Sequence, residues 1–255
     1  MSPSQSQGDQ PSAAAEVTAA LNDGKIHLLL AASGSVATIK LPLIVASFSK
    51  VPNLSIRVIL TPNAAEFLQG QAGEQPRYDS EALRGLPNVD AVYVGDADEW
   101  NPRWTRGAPI LHIELRRWAQ LLVVAPLSAN VLAKITNGLC DSLLTSVIRA
   151  WDTDPVMGKR ILVAPSMNTA MWNHPLTARQ LATLRDDWGV QTTAADEGSD
   201  GAEENRGWYE VLLPKTTKSL ACGDVGQGAM MEWRDIVEVI RERLNLSAEY
   251  IELPM

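Results

Sequence analysis

The sequence predicts a three-layer, doubly wound α/β domain on a mostly parallel sheet, and three observations carry that prediction. Four short runs, residues 26–32 (IHLLLAA), 56–60 (IRVIL), 121–125 (LLVVA) and 161–164 (ILVA), have the unbroken apolar character of strands buried on both faces. Segments with helical spacing separate them, so the order is βαβα. Small and polar residues follow the strands directly, where such a sheet opens its ligand crevice.

Taken in order, residues 1–24 are rich in Ser, Gln, Pro and Ala, have no Lys or Arg, and read as a disordered leader. A mitochondrial presequence would need arginines and a secretory signal an apolar core, and no later run approaches membrane-spanning length. A cytoplasmic protein is therefore expected. One domain should occupy residues 25–246, with a tail over 247–255. Its helices fall at 36–50, 64–69, 113–118, 129–135 and 141–151, and Pro42 should kink the first or delay its start. Residues 175–188 form another, opened by a favourable proline. The last spans 231–244, with Val237, Ile240 and Leu244 on one face. Residues 70–88 are polar and irregular, and the acidic run 195–207 reads as a disordered loop between strands.

Composition narrows the function. A chain of 255 residues, 45% hydrophobic and 20% charged, buries a substantial core. Its net charge of −8 argues against a general nucleic-acid or anionic-membrane binder, so the ligand should be small. Two cysteines, Cys140 and Cys222, lack metal-ligand spacing and suit a reducing compartment, so no structural zinc is expected.

The candidate site residues lie after the strands. Ser33-Gly34-Ser35-Val36-Ala37 is a small-residue turn whose backbone N–H groups and hydroxyls suit a phosphate. It lacks the GxGxxG spacing and fits a mononucleotide better than a dinucleotide; alternatively, the turn is structural. Thr61-Pro62-Asn63 and Pro126-Leu127-Ser128-Ala129-Asn130 also open helices, where hydroxyls serve equally as caps. His112 precedes Arg116 and Arg117 by about one turn, which suits proton transfer beside an anionic substrate. The alternative is a structural histidine, with the arginines salt-bridged to Glu114 or other surface acids. Cys222 lies in a glycine-rich stretch, LACGDVGQGAM, where a thiol is suited to chemistry. Cys140, before an apolar helix, reads as packing.

ASGSVA, DADEW, LHIELRRWA, VVAPLSANVLAKITNGLCDSLLTSVIRAWD, APSMNTAMWNHP and ACGDVGQGAM together resemble the flavin-containing cysteine decarboxylases, including the phosphopantothenoylcysteine decarboxylases of coenzyme A biosynthesis. The resemblance runs in order over residues 26–244, and the pairing of PSMNTAMW with ACGD is its most specific part. It implies a Rossmann- or flavodoxin-like fold and FMN held by Gly34, Ser35, Val36, Thr61, Ser128, Ala129 and Asn130. It implies that Asn168 binds the substrate carboxylate, that Met171 shapes the pocket, and that His112 is the base. Arg117, Ala221 and Lys218 would support substrate binding, and Cys222 would donate the final proton. The expected substrate is 4′-phosphopantothenoylcysteine, converted to 4′-phosphopantetheine in a homotrimer with active sites between protomers.

Decarboxylation needs an electron sink, and a peptide-linked cysteine has no free amine for an imine, so a flavin suits the task. Fungal relatives acting as inhibitory subunits of a protein phosphatase supply the alternative reading. The presence of His112, Asn168 and Cys222 on one chain favours the enzyme. An electron carrier is a weaker third reading, because it needs neither a carboxylate-binding Asn nor a reactive thiol.

Overall fold

A computed structural model of the chain describes residues 11–70, 78–190, 207–214, 218–219 and 225–247. Helix α1 (Ala13–Ala19) precedes β1 (Ile26–Ala32); a 3-10 turn (Val36–Lys40) leads into α2 (Leu41–Ala46), β2 (Leu54–Leu60) and α3 (Pro62–Phe67). Next come α4 (Ser80–Arg84), β3 (Val89–Val94), α5 (Leu111–Trp118), β4 (Leu121–Leu127), α6 (Ala129–Thr136), α7 (Leu143–Arg149) and β5 (Arg160–Pro165). The chain continues through α8 (Thr169–Trp172), α9 (Pro175–Ala182), β6 (Tyr209–Val211), a two-residue pair, β7 (Lys218–Ser219) and β8 (Val225–Gly226), and α10 (Trp233–Arg243).

Strands β3-β2-β1-β4-β5-β6 form one six-stranded sheet with every adjacent pair parallel. Strand order reverses between β1 and β4, so the crevice above their carboxyl ends is the topological switch point. Alternate side chains serve opposite faces. Leu28, Leu30 and Ala32 pack in one core layer with Ile44, Phe48 and Ile236, whereas Leu29 and Ala31 pack in the other with Leu115, Trp118 and Val147. Each fully buried Leu or Val contributes about 2 kcal/mol of transfer free energy, which fixes the sheet register and hence the loops above it.

Pro42 falls in the first turn of α2, and the helix begins late, as its missing N–H requires. The disordered reading of residues 1–24 is corrected at α1. Ser12 caps that helix, its alanines favour helix, and Val17 is wholly buried on the layer containing α5. Strand β3 and helix α4 also lie where the sequence suggested only irregular chain or no element. Cys140, read as packing, is exposed. Residues 195–206 of the acidic run and residues 248–255 of the tail lie outside the described residues. No helix among the described residues is long and apolar enough to cross a membrane.

Glu210 on β6 joins the sheet edge to the last helix, accepting from Arg160 at 2.8 Å and from Arg243 at 2.7–3.1 Å. Burial pushes its carboxyl up, but the two guanidiniums outweigh burial and hold it below its ordinary value. A carboxylate lowered in the folded state stabilises the fold above its unfolded pKa, and that contribution is lost as pH falls through the folded value. Glu210→Gln should therefore lower Tm at pH 7 by about 3–6 °C, for an assumed loss of about 1–2 kcal/mol. In thermal unfolding against pH, the gap from wild type should close below about pH 4; a gap of constant size would show that the charge is not what matters.

Candidate active site

Four strand-to-helix loops are bonded to one another above the switch point. Ser33 donates from both its N–H and its hydroxyl to the Pro126 carbonyl at 3.0 Å, and its oxygen accepts from the Ser128 N–H at 2.7 Å. This joins the β1 and β4 loops. Ser35 caps the 3-10 turn and donates to Ser166 Oγ at 3.0 Å, which brings in the β5 loop. The β2 loop closes against Gly34, where an added Cβ would lie 2.7 Å from Asn63 Cβ. That contact is too short for a side chain to fit without displacing the β2 loop.

These loops surround a cavity of about 660 Å³, within the range of small-molecule sites. Gly34, Ser35, Val36, Thr61, Ser128, Ala129, Asn130, Asn168 and Met171, all candidates from sequence, line it together. Thr61 and Ser128 cap α3 and α6 through oxygen acceptors, at 3.3 Å from Ala64 N and 3.4 Å from Val131 N. Those caps account for acceptor capacity and leave the hydroxyl protons available to donate. Lys40 and Lys134 bring positive charge to the wall. Lys134 is shared with Asp141 at 2.7–2.8 Å, and that hydrogen bond holds the Asp141 carboxyl below its ordinary value.

After β5 the chain turns into α8, and the exposed Asn168 caps it by accepting from Met171 N at 2.9 Å. One end of the amide is thereby fixed, and Nδ2 is a donor at the cavity edge. Met171 is half exposed beside it. The segment is held from the C-terminal side. Met167 N donates to Gly228 O at 3.0 Å, and Trp172 Nε1 donates to Gln227 Oε1 at 3.1 Å.

His112 and Arg117 are not among the residues lining this cavity. His112, half-buried on α5, is hydrogen-bonded through Nδ1 to Glu99. Arg117 is paired with Glu114 at 3.0 Å and Arg116 with Asp152 at 3.7 Å, as in the salt-bridge alternative. Ala221 and Cys222 lie outside the described residues; Lys218 lies on β7, with its side chain outside the description. Asn63, of the Thr61-Pro62-Asn63 turn, is on the cavity wall with Ser142, Ser166, Met167 and Trp233, which the sequence did not single out, as it did not single out Glu99 beside the histidine. Only the recurrence of small polar residues after strands could have drawn attention to Ser166.

The family described as Flavoprotein matches residues 16–245. The chain belongs to that family. Within it, the chain is 39% identical over 236 residues to the phosphopantothenoylcysteine decarboxylase of Mus musculus, covering 92% of this chain and 96% of the mouse protein. Among solved structures, a cysteine-to-serine mutant of PPC decarboxylase complexed with pantothenoylaminoethenethiol is 40% identical, with a TM-score of 0.65 over 86% of this chain and 97% of that one. The FMN binding protein AtHal3 is 42% identical, with a TM-score of 0.63 over 86% and 96%. The sequence and fold resemblances thus extend over most of this flavoprotein, and the family match spans every loop that lines the cavity.

Proposed function

We propose that this flavoprotein decarboxylates 4′-phosphopantothenoylcysteine to 4′-phosphopantetheine with FMN as cofactor. The observation that carries the reading is the convergence of the Gly34, Thr61, Ser128 and Asn168 loops on one cavity at the switch point. The resident group fits the donor set. Backbone approaches closely at Gly34, Ser35 and Ser128 offer hydroxyls, and the eight-residue helix α6 begins at Ala129 on the cavity wall. Gly34, Ser35, Val36, Thr61, Ser128, Ala129 and Asn130 hold the FMN. Bound there, the flavin supplies reversible hydride acceptance from the thiol-bearing carbon, which gives the carboxylate somewhere to leave its electrons.

The remaining work falls to the protein. His112 removes a proton from the substrate in the first half-reaction. Asn168 orients the carboxylate with a neutral amide donor, which fixes its position without the full positive charge that would stabilise it against loss of CO2. Met171 closes the apolar side. Arg117, Ala221 and Lys218 support the substrate, and Cys222 delivers a proton to the enethiol carbon. His112 lies off the wall lined by Asn168, which supports a homotrimer in which two protomers complete one site. The protein acts in the cytoplasm.

Cys222→Ser separates the two half-reactions. It should release CO2 from 4′-phosphopantothenoylcysteine but accumulate the enethiol, with bleached flavin absorbance and the saturated thiol reduced about 100-fold or more. Formation of the saturated thiol at the wild-type rate in that variant would remove Cys222 from the mechanism.

A further inference from the structure

We infer that Glu99 is a positioning residue for His112, fixing the imidazole with its proton on Nδ1 and leaving Nε2 as the basic nitrogen. The inference rests on the proposed role of His112 as base. Glu99 lies in the 96–100 stretch, thirteen residues from the histidine, and its side chain is only 4% exposed. His112 is its hydrogen-bond and ion-pair partner among the described residues. An ionised carboxylate only accepts, so Nδ1 must be the donor. The second nitrogen is then unprotonated in the neutral ring and available to take a proton from the substrate.

The same short loop ties this pair to the cavity. Asp96, three residues before Glu99, accepts from Leu143 N at 2.5 Å, at the start of α7. Ser142, the cap of that helix, is on the cavity wall. One tetrapeptide therefore sets the histidine through Glu99 and is fastened beside the cavity through Asp96. Neither contact involves a strand residue.

The other charged groups around α5 are engaged elsewhere. Arg116 faces Asp152, Arg117 faces Glu114, and Lys159 Nζ donates to the Arg116 and Arg117 carbonyls at 2.9 Å. On the elements packed against α5, Glu16 (α1) and Arg149 (α7) make no hydrogen bond to the imidazole, and on the strands His27 bonds to Asp23 and Arg57 to Tyr93. Asp98, in the same loop, is pushed up by burial and opposed by Arg84. Glu99 is the acidic side chain in contact with the ring.

The sequence contains three histidines, so ¹⁵N-histidine spectra of the FMN-loaded protein resolve the tautomer of His112, assigned by comparison with His112→Asn. The expected wild-type signature is protonated Nδ1 and bare Nε2 in the neutral ring. Glu99→Ala should lose that preference and lower kcat about 10- to 100-fold while retaining flavin and KM. Glu99→Gln can donate as well as accept, so it should weaken the preference for protonated Nδ1; Glu99→Asp should recover part of the rate. A wild-type ring protonated on Nε2, or unchanged kcat in Glu99→Ala, would overturn the inference. So would loss of rate only in step with loss of flavin and Tm, with the ring tautomer unchanged in Glu99→Ala. A fully active His112→Asn would instead refute the role of His112 as base, whatever the tautomer.

Discussion

Asn168→Asp is expected to fold, retain FMN and lose decarboxylation by roughly 10²- to 10³-fold. The substitution is clean because the two ends of the amide do different jobs. Oδ1 accepts from Met171 N at 2.9 Å as the cap of α8, and an aspartate caps as well as an asparagine and suits the positive helix end. The fold therefore loses little. At the other end a donor becomes a negative charge facing the carboxylate that Asn168 is proposed to bind. Two like charges about 4 Å apart repel by roughly 4 kcal/mol at the effective dielectric of a protein surface, far more than the cap can compensate. Steady-state CO2 release with matched flavin absorbance measures the effect, and wild-type turnover would remove Asn168 from substrate recognition.

Gly228→Ala is the second large effect expected, and it acts without touching a proposed catalytic group. At Gly228 φ is +105°, a conformation that L side chains rarely adopt, and an added Cβ would lie 2.4 Å from Met167 O and 3.2 Å from Trp172 Cβ. Backbone strain of this kind costs about 1–3 kcal/mol, and the clash falls on the segment that presents Asn168. The Met167 N to Gly228 O bond must stretch, with the neighbouring Trp172 to Gln227 contact. We expect kcat/KM to fall about 100-fold, since small misplacements in a site carry such losses, together with a lower Tm. Gly24→Ala is the control. Its φ of +77° is also positive, but nothing lies within 4 Å, so it should lower Tm alone. Equal, small effects in both variants would show that close packing at Gly228 does not set the site.

The legible parts of the fold were those with an uninterrupted local signal. Strands β1, β2, β4 and β5 are buried on both faces, and their continuous apolar runs announce this; β3 is an edge strand of mixed character, VDAVYV, with a half-exposed start. Helix α1 was hidden by composition, because alanine is both a strong helix former and a common residue in leaders. Its burial depends on Val17 meeting the layer that contains α5, a partner about a hundred residues away. The FMN-site candidates were recognisable because each follows a strand, and parallel strands bring their carboxyl ends to one side. Glu99 had no such signal. Nothing in the spacing of DADEW says that one acid caps a distant helix and another meets His112 across a loop.

One gene product is proposed to carry a complete decarboxylase site. Mass-spectrometric turnover of 4′-phosphopantothenoylcysteine by the purified, FMN-loaded protein alone tests it most directly. Loss of CO2 with appearance of 4′-phosphopantetheine is the predicted result. A folded, flavin-loaded protein that leaves the substrate unchanged would contradict it.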